Sequence, residues 1–577
     1  MKYIKITIIF FVLLAAFSGC KKDRLNKYPL DKISEGDFWK TADNLGLYVN
    51  QFYPELFDDG SIWSKGIYGL DDNSDNFISQ SFDNRLAGVR TVPSGGGGWD
   101  YTNVRGINML LDNYHLCESD PADYNQYVGE AYFIRAFIFF DLVKQFGDVV
   151  WVDHVLGPDS PELFAPRDPR NVVIDHVISD LDQAISLMDE GKNLDGTRLS
   201  RDVALAFKSR VCLYEGTWEK YHNGTAFGVS SADPDKYFQL AADAANELIN
   251  SGTYDIYSTG KPAHDYFDLF IGFDYSDNDE ILFWKKYDAD LDLTHHHTVS
   301  LEGDGDGGLT GSFVNSILCT DGQPVSTSPL FQGYDSIEVE MLNRDPRFAQ
   351  TIYTPGAPMV IDGNDTIMKF EKANIDVSNS YRNKTGYQRR KGFNPDLNQT
   401  GSNVSTVASI FFRYAEVLLN YAEAKAELGT ISQADLDKTI NKLRDRVDMP
   451  HLVLGSIVTD PDWPFPSLSP IINEVRRERR VELSLEGFRW DDIARWAAAD
   501  ELIVGNKQLG AKFVQDKYPT LTPEQAYAND PSTNGFIWIL RDALPNGWGF
   551  KIDRDYLNPL PNGELTLNPA LGQNPGW

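Results

Sequence analysis

Cysteine is scarce in this sequence, which has only 4 among its 577 residues. Cys117, Cys212 and Cys319 lie far apart, and their spacing matches neither a disulfide framework nor a paired metal-binding motif. The fourth, Cys20, follows an apolar N-terminal stretch. We therefore predict no disulfide framework and look for a separate role for Cys20.

Positively charged residues are also few relative to negatively charged ones. The chain has 84 Asp and Glu against 53 Lys and Arg, which gives a formal net charge of -31. Such an acidic surface repels phosphate backbones, so the composition disfavours nucleic-acid binding. The hydrophobic content of 42% is ordinary for a globular protein and argues against disorder over most of the chain.

The sequence lacks the short motifs of common hydrolases and nucleotide-binding enzymes. It contains no Gly-x-Ser-x-Gly, no His-Glu-x-x-His and no Gly-Lys-Ser/Thr phosphate loop. Asp and Glu are abundant, so a surface glycan hydrolase that uses two carboxylates stays open as an alternative. We predict a non-catalytic protein.

The N-terminal apolar run is too short for a membrane-spanning helix. Ile6 to Phe17 covers twelve residues, whereas a helix needs about 20 to cross a hydrocarbon core roughly 30 Å thick. Lys2 and Lys5 precede this run, and Ser18-Gly19-Cys20 follows it, as in a lipoprotein signal. We predict that residues 1–19 are removed and that a lipidated Cys20 anchors the mature chain. Ordinary cleavage without lipid is the alternative.

Apolar residues spaced by three and four predict a mostly α-helical protein. The helices fall in pairs joined by short turns, which is typical of tetratricopeptide-like hairpins, although the spacing is not a clean 34-residue period. The predicted helices cover residues 130–146, 171–189, 200–218, 234–250, 410–428 and 433–447.

Two long segments lack helical periodicity. Residues 58–103 and 252–405 are rich in Gly, Pro, Asn and Asp, and short apolar runs such as Glu280 to Tyr287 predict brief strands. Long irregular segments usually carry function, because loops supply specificity on a rigid scaffold. We expect the ligand site in these segments.

A helix of unusual charge is predicted to begin at Ser469-Pro470, since both residues favour a helix start. Glu474, Glu478 and Glu482 recur every four residues, so they share one face and repel one another unless cations pair with them. Arg413, on another predicted helix, is a candidate partner. We predict a structural charge network between helices.

Several motifs, in a constant order, resemble the SusD/RagB family of nutrient-binding lipoproteins of the Bacteroidetes outer membrane. The resemblance spans nearly the whole mature chain and is strongest across the charged helix. The segments that carry it are Tyr28 to Asp31, Asp37 to Thr41, Arg135 to Phe137, Phe140 to Val149, Arg413 to Leu419, Glu474 to Trp496, Asn558 to Pro561 and Gln573 to Trp577.

The resemblance implies one mature domain, 20–577, with four tetratricopeptide-like helix pairs. The helical scaffold would lie mainly at 104–251 and 406–500, and the irregular ligand-binding region mainly at 58–103 and 252–405. It also implies a lipoprotein of the outer membrane, facing the cell exterior, that captures glycans or oligosaccharides and delivers them to a TonB-dependent SusC-like transporter. Lys21-Lys22-Asp23 partly resemble the export signal of such proteins, and Arg24 departs from it.

A sugar site needs flat aromatic rings for stacking and polar side chains for hydroxyl groups. Two clusters in the irregular segments offer both, and we expect them to converge on one ligand. The first cluster is Trp63 and Tyr68 together with Trp99, Tyr101 and Asn103, which follow a run of four glycines, and the second is Trp284, Tyr287 and His296.

Two groups of residues invite a metal-site interpretation. His295, His296 and His297 are adjacent, but residues of an extended segment alternate faces, so at most two could bind one ion, and we interpret the run as a solvated loop. Four acidic residues offer oxygen ligands without the spacing of a calcium loop. We predict no cofactor. The alternative is a structural calcium bound by Asp274, Asp277, Asp279 and Glu280.

Other functions stay open from the sequence. Peptide capture by the same arrangement is the main alternative, and it would favour exposed strand edges over stacking rings. A purely structural role is a further alternative.

Overall fold

The computed structural model describes residues 38–57, 64–72, 74–79, 83–302, 307–378 and 382–577. Within them the protein is mostly helical, as the sequence predicts, and the strands form two-stranded sheets. The strands are β1 Phe77–Ile78, β2 Ile281–Lys285, β3 Gly308–Leu309, β4 Pro358–Asp362, β5 Asp365–Lys369 and β6 Ser409–Arg413.

The helices concentrate in two parts of the chain. The first part holds α1 Ala42–Asn50, α2 Thr102–Asn113, α3 Pro121–Phe146, α4 Arg170–Leu187, α5 Arg201–Tyr221 and α6 Pro234–Ser251. Short helices follow: α7 Asp265–Asp268, α8 His297–Leu301, α9 Gly311–Ser316, α10 Ile337–Glu340 and α11 Arg347–Thr351. The last group is α12 Tyr414–Glu427, α13 Gln433–Lys438, α14 Ile440–Arg446, α15 Pro470–Glu482, α16 Arg489–Arg495, α17 Ala499–Leu502 and α18 Asn562–Leu567.

The long helices pack in neighbouring pairs. Helix α3 packs against α4, α5 against α6, and α12 against both α6 and α15. The aromatic side chains of α3 are central to this scaffold, because Phe133, Phe139 and Phe146 are fully buried. No helix in the described ranges is both long and apolar enough to cross a membrane.

Helix α3 is longer than its apolar spacing predicts. It begins at Pro121 rather than near Glu130, because the Asp120 side chain accepts a hydrogen bond from the Ala122 N–H and proline fits the first turn. Its first turns are polar, so periodicity alone does not reveal them. It ends before Gly147, whose φ of 73° is accessible to glycine at little cost.

Two predicted helices are shorter or broken in the structure. The helix predicted from Ile410 begins only at Tyr414, because residues Ser409–Arg413 form β6 and pair with β2. The helix predicted over 433–447 divides at Thr439, whose ψ of -94° lies outside the helical range. The strand predicted near Glu280 to Tyr287 is confirmed as β2.

The irregular segment contains its own hydrophobic cluster. Tyr266, Phe313 and Tyr387 lie in it, and each is almost fully buried. Pairing of Phe77 with Leu309 joins two segments far apart in sequence, through β1 and β3. The loops are therefore held by a core of their own beside the helical scaffold.

Candidate functional site

The charged helix α15 is the centre of a buried ion-pair network. Arg413 Nη1 lies 2.9 Å from Glu280 Oε1 and 2.7 Å from Glu482 Oε1. Arg347 Nη1 lies 2.6 Å from Glu478 Oε1 and 3.0 Å from Glu482 Oε2. Arg446 Nη2 also contacts Glu482 Oε1, at 2.5 Å. This confirms the predicted charge network, with Arg413 as a partner.

The network keeps the carboxylate of Glu482 charged. Burial opposes the ionised form of Glu482, but Arg446, Arg413 and Arg347 outweigh it and hold its pKa well below the ordinary value. The carboxylate has no room for a ligand, since the side chain is fully buried. The network is therefore structural, and it fixes one face of α15.

Another face of α15 lines a cavity of about 490 Å³, which we call the Trp463 cavity. The remaining walls come from α9, the loop from Val325 to Tyr334, the loop from Asp460 to Phe465, and α16 with the residue after it. The residues that line it are Ser312, Asn315, Ser316, Val325, Ser326, Phe331, Tyr334, Asp460, Asp462, Trp463, Pro464, Phe465, Asn473, Arg476, Arg477, Arg480, Arg489 and Trp496.

Polar contacts hold the Trp463 loop against α15. The Trp463 Nε1–H donates to Glu474 Oε1 at 3.1 Å. Arg477 Nη2 donates to Asp460 Oδ2 at 2.6 Å. Ser326 Oγ donates to the other oxygen of Asp460, also at 2.6 Å. The half-buried indole of Trp463 is thus fixed at the cavity wall.

Aromatic and polar groups lie side by side in another part of the cavity lining. The rings of Phe331 and Tyr334 meet edge to face, with centroids 4.9 Å apart. The Tyr334 hydroxyl donates to Asn315 Oδ1 at 3.1 Å, which leaves the Asn315 amide N–H groups as donors at the cavity. Rings beside hydrogen-bonding groups are the combination that a sugar needs.

A second cavity, of about 650 Å³, contains two of the predicted residues, and we call it the Trp99 cavity. Trp99 packs edge to face on Phe146, and Tyr101 donates from its hydroxyl to the Val150 carbonyl at 3.1 Å. Asn103 lies on α2 but does not line the cavity. The other walls are largely apolar and include the exposed side chains of Leu163, Phe164 and Leu567.

The other predicted ligand residues lie in the core. Trp284 is 1% exposed, and its Nε1–H donates to the Asp195 carbonyl at 2.9 Å. Tyr68, Tyr287 and His296 are also buried. Such rings cannot stack on a ligand while they are packed. Tyr68 of the first cluster and Trp284 of the second belong to one hydrophobic core cluster, away from Trp99 and Tyr101, and Trp63 lies outside the described residues. Convergence of the two clusters on one ligand stays a prediction.

The histidine run is not a solvated loop. His295, His296 and His297 are each less than 5% exposed, and His295 Nε2 lies 2.8 Å from the Val407 carbonyl oxygen. Tyr287 packs on His295 with centroids 4.4 Å apart. Packing against the segment near Ser405 explains the burial, which the polar sequence does not show.

The acidic residues considered for calcium form ion pairs with different cationic side chains. Asp274 Oδ2 lies 2.7 Å from Lys286 Nζ, and Asp279 Oδ1 lies 2.9 Å from Lys192 Nζ. Glu280 belongs to the α15 network. Among the residues that the structure describes, no group of three His, Cys, Asp or Glu is arranged to hold a metal ion.

Trp463, Phe331 and Tyr334 were not among the predicted ligand residues. Trp463 follows Asp460-Pro461-Asp462 and precedes Pro464, so it has the aromatic-in-a-loop signal used for Trp99. It lies in the span 406–500 that was assigned to the scaffold. A search for aromatic residues among prolines and aspartates throughout the chain would have found it.

Comparison with known proteins identifies the family. The SusD family model matches residues 247–577, and a second model, described as starch-binding associating with outer membrane, matches residues 47–213. Because the first match covers more than half of the sequence, the chain belongs to the SusD family.

Individual relatives agree with this assignment. SusD-like protein P2 of Formosa agariphila is 25% identical over 594 residues, which cover all of both chains. SusD-like protein P38 of the same organism is 24% identical over 547 residues, which cover 87% of this chain and 93% of the relative.

Solved structures show the same fold. A SusD-like carbohydrate binding protein from Bacteroides fragilis superimposes with a TM-score of 0.73 at 24% identity, covering 93% of this chain and all of the other. A laminarin binding SusD-like protein gives a TM-score of 0.55 at 19% identity, with 93% of this chain and all of the other covered.

Proposed function

We propose that this protein captures glycans at the cell surface in the Trp463 cavity and delivers them to a TonB-dependent SusC-like transporter in the outer membrane. The observation that carries the proposal is the meeting of Trp463, Phe331 and Tyr334 with Asn315 and Asp460 around one open cavity. The names of the relatives support it, because two of the proteins with this fold are described as binding carbohydrate or laminarin.

The cavity is suited to binding rather than to hydrolysis. Glycoside hydrolysis uses two carboxyl groups, one of which must keep a proton to act as the acid. Burial opposes the charged form of Asp460, but hydrogen bonds from Ser326 and Arg477 lower its pKa below the ordinary value. Asp460 is therefore ionised at neutral pH and cannot serve as that acid. We propose a non-catalytic role.

Peptide capture is the second candidate, and one feature favours it. Strand β5 is exposed along its length and belongs to a sheet of two strands, so its outer edge could pair with an extended peptide. This edge lies apart from the residues of the Trp463 cavity in the chain. The two candidates therefore predict binding at different places.

A binding screen tests the proposed function. The chain from Lys21 onward, which keeps every described residue, would be assayed by calorimetry and affinity gels against neutral polysaccharides, acidic polysaccharides and mixed peptides. We expect binding to at least one glycan and no release of reducing ends. Binding to peptides alone would favour the β5 alternative, and turnover of any glycan would contradict the non-catalytic role.

Replacement of Cys20 by alanine tests the proposed anchor. We expect Cys20→Ala to abolish retention at the outer membrane, because acyl chains attached to this thiol would be the only membrane contact that the sequence predicts. Fractionation and surface labelling of whole cells measure the effect. Glycan binding by the purified protein should be unchanged, and loss of binding in this variant would contradict a purely anchoring role for Cys20.

A further inference from the structure

The Trp463 cavity is unusually rich in arginine for a chain with a net charge of -31. Arginine offers a planar fork of N–H donors that matches carboxylate and sulfate oxygens, and such charge-assisted bonds are stronger than neutral ones. Against two aspartates, Asp460 and Asp462, the cavity wall contains four arginines, namely Arg476, Arg477, Arg480 and Arg489.

Two of these arginines share one carboxylate. Arg489 binds Asp75 through Nε and Nη2, at 2.5 and 2.7 Å, and Arg480 Nη2 lies 2.9 Å from Asp75 Oδ2. Burial lowers the pKa of Arg480 to about 9, and Arg489 adds to the shift although Asp75 opposes it. Asp75 supplies one carboxylate for the two guanidinium groups, and Asp71, which accepts from the Arg489 backbone N–H at 3.3 Å, is a second carboxyl group nearby.

Several guanidinium donors have no acceptor in the described part of the chain. Arg476 donates one long hydrogen bond, from Nη2 to Glu427 Oε1 at 3.3 Å, and its guanidinium packs on the rings of Phe465 and Trp496. Its buried Nε–H has no hydrogen-bond acceptor. The buried Nε–H of Arg477 also has no hydrogen-bond acceptor, although Nε lies 3.2 Å from Glu474 Oε1 as an ion pair. Unpaired buried donors are costly, so a ligand that supplies oxygens would be favoured here.

We infer that the Trp463 cavity takes an anionic oligosaccharide, one that carries carboxylates or sulfate esters, in preference to a neutral sugar. The inference rests on the proposed function and adds the substrate class. The rings of Trp463 and Tyr334 would stack on the sugar, while Arg477, whose side chain is the most exposed of the four arginines, would bind its acidic groups. General attraction of polyanions is not the cause, because the protein as a whole is strongly acidic.

Matched pairs of glycans test the preference. The chain from Lys21 onward would be titrated with polygalacturonate and its methyl ester, which separate the carboxylate, and with dextran sulfate and dextran, which separate the sulfate. Polyglutamate serves as an anionic control without sugar. We expect at least one acidic glycan to bind at least about tenfold more tightly than its neutral partner, and polyglutamate not to bind.

Substitution of Arg477 tests whether the preference for acidic glycans arises in the Trp463 cavity. Arg477→Gln should weaken binding of the acidic glycan at least about tenfold, and Arg477→Lys should retain part of it. Lys442→Gln is the control, because it removes one positive charge from an exposed pair with Asp255, away from the cavity. Thermal melts check that each variant is folded.

The outcomes separate this inference from the proposed function. Equal affinity for acidic and neutral glycans would overturn the anionic preference and leave glycan capture intact. Equal binding of polyglutamate, or unchanged affinity in Arg477→Gln, would also overturn it. Failure of every glycan to bind would overturn both.

Discussion

Replacing Glu482 by glutamine is expected to lower the free energy of unfolding by about 3–5 kcal/mol, which is the usual cost of breaking a buried ion pair from one side. The carboxylate lies within 3.0 Å of nitrogen atoms of Arg347, Arg413 and Arg446. An amide keeps the shape but leaves these guanidinium groups without the charge that compensates them. Urea or guanidinium denaturation of the variant and of the natural chain measures the difference.

Asp255→Asn is the matched control for Glu482→Gln, since it also turns a carboxylate into an amide. Asp255 pairs with Lys442 at 2.6 Å on the exposed surface, where an ion pair contributes less than about 1 kcal/mol. We expect its unfolding midpoint to stay near that of the natural protein. Similar losses in both variants would show that the network around Glu482 is no more important than a surface pair.

The pH profile gives a second readout for Glu482→Gln. Because the folded-state pKa of Glu482 is depressed, its stabilising effect is fully present above the unfolded value, about 4.3 for glutamate, and is lost as the pH falls toward the folded value. The natural protein should therefore lose stability below about pH 4.3. Glu482→Gln should show a flatter decline over the same acidic range, and an unchanged decline would contradict the assignment.

Trp463→Ala is expected to weaken glycan binding by about tenfold to a hundredfold, since burying an aromatic side chain is worth roughly 1.5–3 kcal/mol. Calorimetry with a glycan that the screen identifies measures the loss. Trp463→Phe should fall between the natural protein and the alanine variant, because it keeps a ring but loses the bond to Glu474. Both variants should lose much less free energy of unfolding than Glu482→Gln does.

Trp99→Ala is the comparison that decides between the two cavities. Trp99 is one of the ligand residues that the sequence predicts, and it lines a cavity of its own. If Trp463 contacts the ligand, Trp99→Ala should leave the affinity near that of the natural protein. The reverse order, with binding lost in Trp99→Ala and kept in Trp463→Ala, would transfer the proposed site to the Trp99 cavity.

The sequence predicts the helices better than it predicts the site. Helices are visible because burial recurs every three or four residues along one segment, as in α4 and α6. The start of α12 is missed because the pairing of β6 with β2 joins residues about 130 positions apart, which local spacing does not show. Family motifs add the class of protein but not the positions of its ligand contacts.

The exposure of an aromatic residue depends on distant parts of the chain. Trp284 lies in the apolar strand β2, and its ring is covered by the turn at Asp195, 89 residues away. The histidine run is covered in the same way by the segment near Ser405. The side chain of Trp463 is only half-buried and lies at a cavity. The apolar run around Trp284 is a local sign of burial, whereas nothing local in the polar histidine run predicts its cover.

The attachment of the Trp463 loop to α15 has a consequence for the rate and entropy of binding. Asp460 and Trp463 are bonded to Arg477 and Glu474, and α15 is itself held by the ion pairs of Glu478 and Glu482. The wall that meets the ligand is therefore ordered during folding, and little conformational freedom is left to lose on binding. Capture should resemble docking onto a preformed surface, with a small entropic penalty and an association rate limited by encounter rather than by loop closure.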